Sequence, residues 1–143
     1  MEKIYVVFWS QSGNTESMAN AVGEGITEAG KEAVVVNVSD ISADELAQGN
    51  VFAMGCPAMG AEVLEESEME PFVEELESKV SGKTIGLFGS YGWGDGEWMR
   101  DWTDRMTNQG ATVVDGEGVI CQDAPDDDAI EKCKELGRKL AGI

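Results

Sequence analysis

The sequence contains no histidine. A Ser–His–Asp triad, a Cys–His pair, a His-ligated metal and an imidazole proton shuttle are therefore excluded. Positive charge is scarce: 10 Lys+Arg stand against 28 Asp+Glu, a formal net charge of −18 over 143 residues. That balance argues against nucleic acid, whose phosphates need clustered Lys/Arg, and equally against anionic lipid. Long apolar runs are also missing. The longest, about Tyr5–Trp9, is far too short to span a bilayer. Met1-Glu2-Lys3 leads straight into that run with no small-residue cleavage site, so no signal peptide is expected. The three cysteines, Cys56, Cys121 and Cys133, show no CxxC spacing. They read as reduced core residues of an intracellular, cytoplasmic protein.

The acidity is not that of a disordered chain. Apolar residues make up 42% of the sequence and fall in runs. The length suits one domain with one sizeable core, taken here as residues 1–143. Short apolar runs at Ile4–Trp9, Ala33–Val38, Val51–Cys56 and Thr84–Ser90 predict strands. A fifth strand region holds Thr112–Val114 and Val119–Cys121, broken by Gly116 and Gly118. Between the strands lie helical stripes: Met18, Val22, Ile26; Phe72, Leu76, Val80; Met99, Trp102, Met106; and Ile130, Cys133, Leu136, Leu140. Ser42-Ala43-Asp44-Glu45-Leu46 predicts a short capped helix. Strands alternating with helices predict an α/β fold of three layers, a five-stranded parallel sheet covered on both faces. Five strands favour the doubly wound order 2-1-3-4-5, with ligands outside the carboxyl ends of the strands near strands 1 and 3.

Three loops fall at that end. Ser10-Gln11-Ser12-Gly13-Asn14-Thr15 precedes a helix N-terminus, offering hydroxyls, an amide and unpaired backbone N–H groups. It lacks the Gly-Lys-Ser/Thr of a Walker loop and is not GxGxxG. A phosphate seat and simple helix capping by Ser12 or Asn14 are both open at this point. No Lys or Arg lies between Lys3 and Lys31 or between Lys31 and Lys79, so a phosphate here would rely on amides and hydroxyls. The second loop, Pro57-Ala58-Met59-Gly60-Ala61-Glu62, carries a glycine that permits a cheap change of turn and an adaptable methionine. The third, Ser90-Tyr91-Gly92-Trp93-Gly94-Asp95-Gly96-Glu97-Trp98, alternates glycine with large rings. A flat aromatic ligand can lie on glycine backbone with an indole stacked over it. Trp102 fits the core. Together the loops describe one mononucleotide-like ligand with a phosphate at one end and a flat ring system at the other.

These residues resemble the flavodoxins, and most closely the short-chain flavodoxins of anaerobic bacteria. The likeness runs from Ile4 to the C-terminus, on Ser10–Thr15, Met59-Gly60-Ala61-Glu62 and Phe88–Gly96 with Trp98-Met99-Arg100-Asp101. The resemblance implies one noncovalent FMN, low-potential one-electron transfer between semiquinone and hydroquinone, and no enzyme activity of its own. It implies that Ser10 to Thr15 hold the phosphate, that Met59 and Trp93 cover the two faces of the ring, and that Glu62 accepts from flavin N3–H. Backbone of Ser90, Tyr91, Gly92, Trp93 and Gly94 would line the N1/O2 edge, with Trp98 nearby and Asp123 toward the ring edge. It further implies that the Gly60–Ala61 peptide flips so that its carbonyl meets the N5 proton. Two positions depart from the family pattern. Gln11 stands where a small residue is common, and Ala61 carries a Cβ that disfavours positive φ. Glu62 with Glu65, Glu66, Glu68, Glu70, Glu74, Glu75 and Glu77 reads as an acidic, solvated face that opposes a flavin anion and docks a basic redox partner transiently, the protein being monomeric. Two rival readings remain: an NAD(P)H-dependent flavoenzyme on the same fold, for which basic residues are lacking in the phosphate-seat and Met59 loops, and a receiver-type signalling domain. The latter needs acidic residues where Ser10-Gln11 and Cys56-Pro57 stand.

Overall fold

The computed structural model describes residues 3–143. The expectation made for the first two positions lies outside them. β1 (Lys3–Phe8), β2 (Glu32–Asn37), β3 (Val51–Gly55), β4 (Thr84–Tyr91), β5 (Thr112–Val113) and β6 (Val119–Gln122) form one sheet in the order β2-β1-β3-β4-β5, with β6 also on β4. Every pair in it is parallel. The helices are α1 (Asn14–Glu28), α2 (Ala43–Leu46), α3 (Met69–Leu76), α4 (Glu97–Asn108) and α5 (Asp127–Ala141).

The strands are apolar on both faces because both faces are covered. Val7, Phe52, Met54, Ile85 and Leu87 join a core with α2, α3 and α4. Ile4, Val6, Phe8, Ala53 and Phe88 join a second core with α1 and α5. The alternation along each strand thus assigns its side chains to two layers. The stripes of α1, α3 and α4 are buried as expected, Trp102 included, whereas Ile130 of α5 is only half-buried. Glycine brings α1 and α5 together: a Cβ on Gly25 would strike Lys134 O, and one on Gly137 would strike Val22 O. Ser42 caps α2, its hydroxyl accepting from Glu45 N–H at 3.0 Å.

Two expectations need correction. The α3 stripe is not one helix to Val80: the helix ends at Leu76 and a 3-10 turn, Glu77–Lys79, delivers Val80 to the core. The fifth strand region is two strands. β5 pairs with Thr84–Ile85 and β6 with Phe88–Tyr91, and the Val114–Gly116 turn between them holds Asp115 at φ 63°. Gly116 itself lies at φ 74°, so the break falls where the backbone leaves extended geometry.

Candidate functional site

The carboxyl ends of β1, β3, β4 and β6 place their loops side by side. Trp9 N–H donates to Gly55 O at 3.0 Å, Cys56 N–H to Phe88 O at 3.1 Å, and Ala58 N–H to Ser90 O at 3.0 Å. Asp123 N–H donates to Tyr91 O at 2.8 Å, and the Gln122 amide to Gly92 O at 3.2 Å. These bonds extend the sheet pairing past the strand ends and hold the loops as one wall.

The wall encloses a cleft of about 340 Å³ lined by Ser10, Gln11, Ser12, Asn14, Thr15, Pro57, Ala58, Met59, Ser90, Tyr91, Gly92 and Asp123. Each of these was singled out from the sequence. Its volume lies in the range of small-molecule sites. No Lys or Arg lines it. At its floor the N-terminus of α1 begins after Gly13, held at φ 95°, and no side chain of Gly13 can cap it. The Ser10 hydroxyl accepts from Gly13 N–H at 3.2 Å and Glu16 N–H at 3.3 Å, and Ser12 reaches Asn14 N–H only at 3.5 Å. The helix N-terminus is therefore wrapped by a hydroxyl loop, an arrangement suited to an anion without cationic side chains.

The second loop is a tight turn. Met59 N–H donates to Val63 O at 2.9 Å and Val63 N–H to Met59 O at 3.1 Å, which leaves Gly60, Ala61 and Glu62 at the tip. Gly60 has φ 39° and Glu62 φ 56°, while Ala61 is not among the positive-φ residues. In this conformation the Cβ at Ala61 meets no left-handed strain; the residue with a side chain at positive φ is Glu62. Its Oε1 accepts from Gly96 N–H at 3.3 Å and from Glu97 N–H at 3.2 Å, the first N–H groups of α4. Among the described residues Oε2 accepts nothing. Glu62 thus holds the second loop against the third.

In the third loop Trp93 is 65% exposed and stands outside the cleft lining with Gly94. Gly13, Gly60, Ala61 and Glu62 also lie outside the lining. Trp98 is 1% exposed, sits behind Tyr91 with ring centroids 5.6 Å apart, and donates Nε1–H to Cys56 O at 3.0 Å. Arg100 ties the loop from the other side, its guanidinium donating to Asp95 O and to Asp95 Oδ1, each at 3.0 Å. Its own pKa is raised by the Asp95 carboxylate.

The acidic run is less uniform than the sequence suggests. Glu66, Glu68, Glu74 and Glu75 are exposed. Glu65 is 6% exposed and folds over the first turn of α3, accepting from Ser67 N–H at 2.7 Å, Glu68 N–H at 2.6 Å and Met69 N–H at 3.1 Å. Burial pushes its carboxyl up, but these donors outweigh it and the net shift is down. Glu70 and Glu77 pair with Arg105, at 2.6 Å each. The reading of Glu65, Glu70 and Glu77 as solvated face is therefore corrected. A carboxylate just ahead of a helix is a start signal that the run of acids concealed. Cys56 and Cys133 are buried and their thiols are pushed up to about 12, chiefly by burial. Cys121 is only half-buried, not a core residue.

The flavodoxin family model matches residues 6–137. The chain belongs to the flavodoxin family. A flavodoxin of Clostridium beijerinckii is 52% identical over 138 residues, spanning 96% of this chain and 99% of its own. A flavodoxin of Megasphaera elsdenii is 45% identical, spanning 96% and 98%. The solution structure of two-electron reduced Megasphaera elsdenii flavodoxin matches with a TM-score of 0.86 at 44% identity, covering 98% of this chain and 99% of that one. Flavodoxins bind FMN and carry electrons between redox partners; they are electron-transfer flavoproteins rather than enzymes. The cleft of this flavodoxin fits that cofactor: hydroxyls and amides at a helix N-terminus for the phosphate, and Met59, Tyr91 and glycine backbone for a flat ring.

Proposed function

We propose that this flavodoxin is a single-domain, monomeric, cytoplasmic carrier of one electron at low potential, with one noncovalent FMN and transient, basic redox partners. The convergence of the loops after β1, β3 and β4 on one cleft without Lys or Arg carries the reading. FMN, when bound, supplies one-electron chemistry between its one- and two-electron reduced states. Ser10, Gln11, Ser12, Gly13, Asn14 and Thr15 hold its phosphate through hydroxyls and backbone N–H groups. Met59 and Trp93 flank the ring, and Pro57 and Ala58 set Met59 in place. Backbone of Ser90–Gly94 meets the N1/O2 edge, with Trp98 stiffening Tyr91 from behind and Asp123 at the rim. Glu62 offers its second carboxylate oxygen to N3–H.

With FMN bound, the Gly60–Ala61 peptide would turn so that its carbonyl accepts a hydrogen bond from flavin N5–H. The bridge between Met59 and Val63 leaves that peptide at the free tip of the turn, where a change of conformation disturbs no ladder bond. Negative charge sets the potential. A carboxylate at ~10 Å opposes an added negative charge by roughly 0.4 kcal/mol in water and about 1.7 kcal/mol at an effective dielectric of 20. Glu62, Glu66 and Glu68 act in that sense and also present an acidic face to a basic partner, whereas Asp95 is paired with Arg100.

The test is reconstitution with FMN and an anaerobic stepwise reduction. Tight FMN binding and two separate one-electron steps, the second at low potential, support the carrier. A single two-electron step refutes one-electron cycling. Rapid reduction by NAD(P)H with no partner protein refutes the carrier in favour of a reductase.

A further inference from the structure

Thr15, in the first turn of α1, and Ser90, near the end of β4, are 75 positions apart in the chain and both line the cleft. Both side chains are buried, at 1% and 4% exposure. Their hydroxyl oxygens lie 3.1 Å apart, and Ser90 N–H also donates to Thr15 Oγ1 at 3.4 Å. The pair holds two hydroxyl protons. One makes the bond between them. Among the described residues nothing accepts the other.

A hydroxyl oxygen has two lone pairs and one proton. When Ser90 donates both its N–H and its O–H to Thr15 Oγ1, both Thr15 lone pairs are filled. The Thr15 proton is then left without an acceptor among the described residues, on a residue that lines the cleft. In the opposite arrangement Thr15 donates to Ser90, and the spare proton sits on Ser90. A phosphate dianion only accepts, and Thr15 lies in the first turn of α1, at the helix N-terminus that forms the phosphate seat. A phosphate bound there therefore favours the arrangement that leaves the spare proton on Thr15. The satisfied geometry is already present, and the ligand completes it by taking the one proton left over.

We propose that Ser90 is a positioning residue for the cofactor phosphate: its hydroxyl aims the Thr15 proton into the phosphate seat, so that the chain discriminates FMN from its dephosphorylated form, riboflavin. This rests on the FMN reading above. Ser90 acts through Thr15 and makes no contact of its own with the phosphate. Because it also precedes the glycine-rich loop, one side chain links the phosphate end of the cleft to the ring end.

The experiment is a double-mutant cycle on apoprotein, with wild type, Ser90→Ala, Thr15→Val and the double variant titrated with FMN, riboflavin and inorganic phosphate. Ser90→Ala is expected to weaken FMN and inorganic phosphate about 2- to 12-fold, the range of an ordinary hydrogen bond, while riboflavin moves less than about 2-fold. In the Thr15→Val background Ser90→Ala is expected to cost FMN nothing further. Equal losses for FMN and riboflavin, or an undiminished loss with Thr15→Val, overturn the proposal. Ser90→Cys, nearly isosteric and a weak donor, gives the same split if the alanine variant folds poorly. A wild-type protein that binds no FMN refutes the cofactor reading; one that binds FMN without the split refutes only the role of Ser90.

Discussion

The Glu62 carboxylate caps α4 from outside the helix, its Oε1 accepting the Gly96 N–H at 3.3 Å across 34 positions of chain. The same oxygen takes Glu97 N–H at 3.2 Å. A residue in left-handed backbone geometry is thereby held by the helix whose N–H groups it satisfies. The turn at Met59–Val63 and the loop at Gly92–Gly96 are tied before any cofactor enters.

Replacing Glu62 therefore loosens both loops. Glu62→Ala strands two N–H groups and is expected to cost about 1 kcal/mol, the worth of a helix cap, in urea unfolding of the apoprotein. Glu62→Gln keeps the acceptor and is expected to retain most of that. Equal loss in both variants shows that the charge, not the cap, supplies the stability.

Trp93 is the most exposed aromatic of the glycine-rich loop. Trp93→Ala is expected to weaken FMN about 2- to 12-fold, the equivalent of ~0.5–1.5 kcal/mol of stacking. It should also raise the potential of the second electron, since water then reaches the ring. Fluorimetric titration and potentiometry measure the two effects, and unchanged FMN affinity excludes stacking.

Gly60 occupies φ 39°, and a Cβ there meets nothing within 4 Å. The cost of Gly60→Ala is thus backbone strain alone, roughly 1–2 kcal/mol for a left-handed residue. A turn restricted in this way should bring the two one-electron potentials closer together. Potentials separated as in the wild type remove Gly60 from the redox switch. Ala61→Gly should act the other way, because turning the Gly60–Ala61 peptide rotates φ at Ala61, which is not positive in this structure, toward the left-handed region that glycine favours; the two potentials should separate further.

Glu65 makes the fold sensitive to acid. Its folded-state pKa lies below the ordinary carboxylate value, so its stabilisation is complete above the ordinary range and is lost as pH falls through the depressed value. Glu65→Gln should flatten the acid limb of the stability curve, measured by urea midpoints from pH 7 down to about pH 3. A limb as steep as in the wild type assigns the acid sensitivity to other carboxylates.

Much of this was legible in the sequence for a local reason. Strand runs, helical stripes and the loops that follow them depend on neighbours in the chain, and the 2-1-3-4-5 order then brings Ser10, Gln11, Ser12, Asn14, Thr15, Met59 and Tyr91 to one cleft. Contacts between distant side chains were not legible. Nothing near Glu62 announces the N-terminus of α4, and nothing near Thr15 announces Ser90. Glu65 was hidden in a run of identical residues whose burial depends on where α3 packs. Trp98 looked like part of the ligand platform because its place behind Tyr91 follows from helix orientation.

The division of the outer strand has a consequence for solubility at high concentration. A long, flat edge would offer a continuous row of unpaired N–H and C=O groups to another chain. Here that edge is two residues of β5, a turn with Asp115 in left-handed geometry, and four residues of β6. Each piece is short, and the turn between them interrupts the row. At this edge the break leaves little continuous backbone for another chain to pair with; the opposite edge, β2, is a six-residue strand.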